Sequence, residues 1–404
     1  MASLAQLRVE VEQELTGNIL PFHIEHALDE QNGGFYGRID SDNRIHPEAP
    51  KGLVQHSRLL WTYARAYRQF EAATYLEMAE RAFSYLLDHF WDKKAGGLYW
   101  LVDFGGQPLV SDKYVYGQSF GIYGLAEYYL ASGDERSLEM ALALFQLLED
   151  RARDDTYGGY FEVFEQDWGR RLAKNVDSED GPVDKTMNSH LHLLEAYTSL
   201  MQAWPGDQLR NSLRHLAGHH LEQIIDPATG HLLLHFTADW KPLNKHISYG
   251  HDIEASWLLV EAAGALGEAG LLAETQAAAQ RMAAIVYAQG MDGDGGLLSE
   301  PGRAFKEWWP QAEALVGFLN AYQLSGQAQY LEAVHTIWAY VQRAFVDQTG
   351  GEWFAGRQAD GGLADEEKAG VWKTPYHNGR ACLELMSRID ALDTPFSIEP
   401  SVSK

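Results

Sequence analysis

One motif, returning six times, limits what this chain can fold into. An aspartate, two or three further residues and a glycine pair lead into aromatic or aliphatic residues. It occurs as DEQNGGFYG from Asp29, DKKAGGLYW from Asp92, DDTYGGYFE from Asp154, DPATGHLLLHF from Asp226, DGDGGLLSE from Asp292 and DQTGGEWF from Asp347. The copies lie 55–72 residues apart, and His231 replaces the second glycine in the fourth. Each reads as a tight turn entering a short extended segment. A single Asp-x-x-Gly turn is commonplace, but six at near-regular spacing mark a repeat architecture.

Two helical stretches are predicted between successive turns. The first has little charge on most of its face, as in GLVQHSRLLWTYARAY, VYGQSFGIYGLAEYY, MNSHLHLLEAYTSL, GHDIEASWLLVEAAGAL, PQAEALVGFLNAYQL and YHNGRACLELMSRI. A more polar helix follows, such as ATYLEMAERAFSYLLDHF or AQYLEAVHTIWAYVQRAF. Helices apolar nearly all round are buried, and those with one apolar stripe lie outside. A chain of 404 residues exceeds the roughly 250–300 at which one ordinary core stops growing. Six inner–outer pairs closing into an (α/α)6 toroid resolve this. The expectation is an all-α (α/α)6 barrel, a single domain over residues 1–404, with short β-hairpins in the inter-helix loops. An open α-solenoid satisfies the same pattern.

The bulk numbers exclude several partners. A net charge of −25 opposes binding to nucleic acid or anionic membranes. No apolar run approaches the ~20 residues of a membrane span, and MASLAQLRVEVEQEL lacks the pattern of a secretory signal. A cytoplasmic location is expected. Cys382 is the single cysteine, which rules out an intrachain disulfide or a cysteine-built zinc site. The sixteen histidines contain no His-Glu-x-x-His, and no glycine-rich phosphate loop is evident. Neither metal nor cofactor is expected, and the chain is read as a monomer with a dimer as the alternative.

The stretch TMNSHLHLLEAY, residues 186–197, holds two histidines two positions apart. On a strand these would share a face as a metal half-site. Met187, Leu191, Leu194 and Thr198 instead recur at helical spacing, and on a helix two positions differ by about 200°. One histidine at most faces a site. His192 shares a face with Asn188 and Glu195 and is expected to face the pit, with His190 turned toward packing.

Polar residues unusual for buried helices recur near the start of each inner helix. They are Arg58, Tyr116, Asn188 with His192, His251 with Glu254, Trp308 and Trp309 with Glu313, and Trp372 and His377 with Arg380. Closure would bring all six sets to one mouth. A lone histidine on an apolar helix is commonly a hydrogen-bonded core residue. Three at equivalent repeat phases, each beside a carboxylate or amide, favour a site. The tryptophans could be core, although adjacent rings before Pro310 would present one at a helix entrance, where aromatic faces suit the C–H faces of a sugar. Glu313 could merely complement a helix dipole.

Imidazoles can take or give a proton near neutrality. Glu254, three residues after His251, could fix its tautomer. His377, after Pro375, should sit at a helix N-terminus, where the dipole favours the neutral base. Two bases on opposite sides of one carbon can invert it, with Arg58 holding the oxyanion on the adjacent carbonyl. That chemistry is proton abstraction α to a carbonyl, as in aldose epimerisation or isomerisation.

At these residues the sequence resembles the N-acylglucosamine 2-epimerase superfamily, and within it the cellobiose 2-epimerases. The resemblance rests on SRLLWTYARAYR, MNSHLHLLEAY, SYGHDIEASWLL, WWPQAEALVGFLNAY and WKTPYHNGRACLE and spans nearly the whole chain. It implies an (α/α)6 barrel and cofactor-independent epimerisation at C2 of a reducing-end sugar, through ring opening and a cis-enediolate. It implies that His251 and His377 form the acid/base pair, that His192 serves ring opening or closure, and that Arg58 lies near the reacting oxygens. Asn188, Glu254, Trp309 and Trp372 match substrate positions, with Trp308, Tyr116, Asp180 and Glu313 nearby. The implied substrates are β-1,4-linked disaccharides such as cellobiose, lactose and mannobiose. The alternative is epimerisation or aldose–ketose isomerisation of free mannose. An inverting glycosidase would need two opposed carboxylates, for which Asp180 and Glu313 could serve, but it would leave the histidines unexplained. A binding protein without activity is opposed by the intact histidine set.

Overall fold

The computed structural model describes residues 3–172 and 183–393. Its helices are α1 (Leu4–Glu14), α2 (Leu20–His26), α3 (Leu53–Phe70), α4 (Ala73–Tyr85), α5 (Val115–Ser132), α6 (Glu135–Leu147), α7 (Met187–Ala203), α8 (Asp207–His219), α9 (Tyr249–Leu266), α10 (Ala269–Gln289), α11 (Trp308–Ser325), α12 (Ala328–Ala344) and α13 (Tyr376–Asp393). The six apolar helices α3, α5, α7, α9, α11 and α13 form a closed inner ring, each packed on the next and α13 on α3. The toroid, not the open solenoid, is what the chain builds.

Burial follows the sequence pattern. Every residue of α5 from Val115 to Tyr128 is buried, whereas α4 buries only Met78, Ala79, Ala82, Phe83 and Tyr85. In one respect the structure departs from the expected order. The sixth inner helix has no outer helix after it among the described residues; α1, from the start of the chain, packs against α13 instead. Arg8 of α1 reaches Asp390 of α13 at 2.6 Å. The outer layer is thus completed by α1 beside α13.

Each Asp-Gly-Gly motif is a turn closed by one antiparallel bridge, such as Leu28 with Phe35, Trp91 with Leu98 and Arg153 with Tyr160. The aspartate accepts backbone N–H groups of its own turn, as Asp92 does from Lys94 and Ala95. In five repeats it also binds a buried lysine lying between the turn and the inner helix: Lys51 with Asp29, Lys113 with Asp92, Lys185 with Asp154, Lys306 with Asp292 and Lys368 with Asp347. The fourth repeat pairs His231 with Asp252 at 2.7 Å instead. The segments around these lysines also pair with the next repeat's loop, as Lys51–Gly52 does with Leu101–Val102, and Ala369–Gly370 returns to Arg38–Ile39. These short pairings link separate loops around the ring, and they carry the inner helices' first residues toward a common mouth.

Because Lys113 and Asp92 are both fully buried, removing one leaves the other an uncompensated charge. Asp92→Ala is expected to destabilise the fold by about 3–5 kcal/mol. The denaturant midpoint should fall at unchanged slope; an unchanged midpoint would refute the structural role assigned to the motif.

Candidate active site

At the mouth formed by the first turns of the inner helices lies a cavity of about 260 Å³. All the residues expected at this mouth except Asp180, Glu313 and Arg380 line it, joined by Glu307, which the sequence reading missed. Asp180 lies outside the described residues. A larger cavity of about 480 Å³ opens at the other end of the ring; Glu195 and Arg380 line its wall and bond to residues of the first cavity.

The two neighbouring histidines have different surroundings. His192 reaches the cavity, with Nδ1 held by Glu195 at 3.0 Å. His190 donates from Nδ1 to the Thr186 carbonyl and accepts the Tyr160 N–H on Nε2. His56 makes the equivalent bonds in the first repeat, to Gly52 and from Phe35. These histidines clamp the Gly-Gly turns. A Cβ on Gly159, whose φ is +75°, would sit 2.7 Å from the His190 ring nitrogen, so glycine is required there by conformation and by space.

His377 is the second residue of α13, and its Nδ1 lies 2.6 Å from Glu313 Oε1. A carboxylate can only accept, so Nδ1 carries the proton and Nε2 is left as a free base. Burial, with the nearby Arg58 and Arg380 charges, holds its pKa well below the usual histidine value. The neutral base expected from the helix end is thus chiefly a product of burial. His251 does not use Glu254 as expected. The Ser248 hydroxyl, which also caps α9, lies 2.7 Å from His251 Nδ1. A hydroxyl can donate or accept, so His251 can take either tautomer. Burial, then repulsion from His192, brings its pKa down to about 3. A serine three residues before a helical histidine is a capping signal that would have identified this partner.

Glu254 and Glu313 serve a different purpose. Arg380 Nη2 lies 2.7 Å from an oxygen of each, and Arg380 Nη1 bonds to Glu195. Glu313 is therefore not a dipole partner at a helix end but the link between Trp257, Arg380 and His377. Glu195 also accepts from the Tyr376 hydroxyl. One guanidinium thereby ties the residues that orient His192 and His377. Glu254, Glu313 and His377 also have ligand-type atoms within 4.8 Å of one another, the one such group among the described residues and one the sequence reading did not foresee. The Arg380 guanidinium supplies the positive charge between the two carboxylates.

Arg58 is buried, donating to the Trp372 carbonyl at 3.0 Å and the Tyr116 hydroxyl at 2.9 Å. Its guanidinium lies over the Phe120 and Tyr376 rings. The Trp309 ring packs between the catalytic candidates, 4.7 Å from the His251 ring and 5.6 Å from that of His377. Trp372 is 49% exposed and lies beside Trp100 and Tyr116, so an aromatic surface continues from the cavity to solvent. Asn188 Oδ1 and Trp308 Nε1 are buried without a protein partner.

A helical toroid with three neutral histidines, an arginine and tryptophans at one mouth is the frame of a sugar epimerase, an isomerase. The N-acylglucosamine 2-epimerase family model matches residues 34–381, and the chain belongs to that family. It is 42% identical to a cellobiose 2-epimerase of Bacteroides fragilis over 94% of this chain and 98% of that one. It is 38% identical to a cellobiose 2-epimerase of Dictyoglomus turgidum, over 96% and 100%. The solved cellobiose 2-epimerase of Bacillus thermoamylovorans superposes with a TM-score of 0.91 at 36% identity, covering 95% of this chain and all of that one. No helix among the described residues is long and apolar enough to cross a membrane.

Proposed function

We propose that the protein epimerises C2 of the reducing-end sugar of β-1,4-linked disaccharides such as cellobiose, lactose and mannobiose. The observation that carries this reading is the pair His251 and His377. Each is neutral and tied through Nδ1 to a different partner, His377 buried and His251 half-buried, with the Trp309 ring packed against both. In this scheme His192 assists opening of the sugar ring. One of the pair takes the C2 proton, Arg58 stabilises the oxyanion of the cis-enediolate, and the other histidine returns a proton to the opposite face. The Ser248 hydroxyl lets His251 exchange donor and acceptor roles between the two directions. The half-exposed Trp372 favours a disaccharide over free mannose, because it offers the second ring an apolar face outside the cavity. Asn188 and Trp308 supply polar groups for the sugar hydroxyls.

The test is proton NMR of cellobiose, lactose and mannose incubated separately in heavy water. The expected product is the C2 epimer of the disaccharide, carrying deuterium at C2 with its glycosidic bond intact. Released monosaccharide, accumulating ketose, or complete epimerisation without deuterium at C2 would each overturn the proposal. The last outcome excludes two-base exchange with solvent.

A further inference from the structure

Three carboxylates, Glu195, Glu254 and Glu313, bond to the single guanidinium of Arg380, and all four side chains are buried. The other groups facing Glu254 do not balance the excess. Arg58 of α3 keeps its charge, donating to the neutral Trp372 carbonyl and the Tyr116 hydroxyl of α5 and to none of the three carboxylates, and two guanidinium charges still leave one carboxylate in excess. His192 of α7, His251 of α9 and His377 of α13 are held neutral by burial. Tyr376 of α13 is a neutral donor to Glu195. The outer helices α8 and α10 pack on the far side of α9, where Asp252 is paired with His231.

Counting donors shows where the excess charge is removed. Glu195 accepts from Arg380, from His192 Nδ1 and from the Tyr376 hydroxyl. Glu313 accepts from Arg380, from Trp257 Nε1 at 3.1 Å and from His377 Nδ1. Glu254 accepts from Arg380 alone, and its Oε2 is buried with no partner. An unpartnered carboxylate oxygen in such a place costs far more than an unpartnered hydroxyl. We propose that Glu254 holds a proton through the neutral range and acts as a positioning residue, leaving Arg380 to hold the two ionised carboxylates that orient His192 and His377. Burial, then the charge of Glu313, pushes Glu254 up to about 8 against the pull of Arg380. Loss of that proton puts a third charge on the cluster and pulls Arg380 away from the carboxylates that hold the histidines.

The role in turnover rests on the epimerase reading; the protonation state does not, and the experiment separates them. Infrared spectra of the full chain at neutral pD should show a protonated-carboxyl stretch that disappears as pD rises through the titration and is missing in Glu254→Gln. In wild type, kcat/KM for cellobiose should fall by about tenfold per pH unit above the titration, and Glu254→Gln should lose that alkaline fall. No titrating carboxyl band in the wild-type protein overturns the proposal whether or not the variant folds. A band untouched in a folded Glu254→Gln variant overturns it as well. An alkaline fall that persists in the variant overturns the positioning role. If no disaccharide is turned over, the functional reading has failed and the infrared result still decides the proton.

Discussion

His377→Ala and His251→Ala are each expected to lower epimerisation by about 10²–10⁴-fold, the usual contribution of one acid/base group, while the barrel stays folded. The folding half of the statement follows from what each deletion leaves behind. Without His377, Glu313 still accepts from Arg380 and Trp257. Without His251, Ser248 still stands at the N-cap of α9. Neither change strands a buried charge. Initial rates, read with circular dichroism of the same samples, decide the matter. A folded variant keeping more than about a tenth of wild-type turnover would remove that histidine from the acid/base pair. The pH profile carries a second mark of the same chemistry. Both histidines have pKa values depressed by burial, so the neutral base is lost only on acidification below the usual histidine range. The acid limb of kcat/KM should therefore lie on the acid side of 6.5.

The helical repeat and the mouth residues were legible in the sequence because their signals are local. A turn that needs glycine at positive φ announces itself wherever it recurs, and His192 was separable from His190 by helical geometry alone. What escaped is non-local. The docking of Leu4–Glu14 against Tyr376–Asp393 joins segments with no shared pattern. The Arg380 cluster draws its carboxylates from α7, α9 and α11, so residue spacing along one helix could not reveal it. Spacing also misled, because it assigned Glu254 to His251 when both lie on one helix but their side chains serve different partners. The lysines behind the turns were visible as residues, and only the fold explains why charged groups before apolar helices are buried.

Arg380→Leu should have the largest effect on stability of any substitution at this site. Removing one partner of a buried ion pair costs about 3–5 kcal/mol, and here one guanidinium serves Glu195, Glu254 and Glu313 at once. A loss at or beyond the upper end of that range is expected. Arg380→Lys should recover only part of it, since an ammonium restores the charge but not the planar fork that spans the carboxylates. The loss should depend on pH with a definite sign. Burial alone would raise Glu195, but Arg380, His192 and Tyr376 bring it down to about 2, below the ordinary glutamate value of about 4.3. Stabilisation from a depressed carboxylate is complete above the unfolded pKa and disappears as pH falls through the folded one. The gap in melting temperature between wild type and Arg380→Leu should thus be widest near neutrality and narrow steadily below about pH 4.3. A variant as stable as wild type at pH 7, or a gap that stays constant down to acid pH, would show that Glu195 and Glu313 are not held ionised by this arginine. The orientation assigned to His192 and His377 would then need another source.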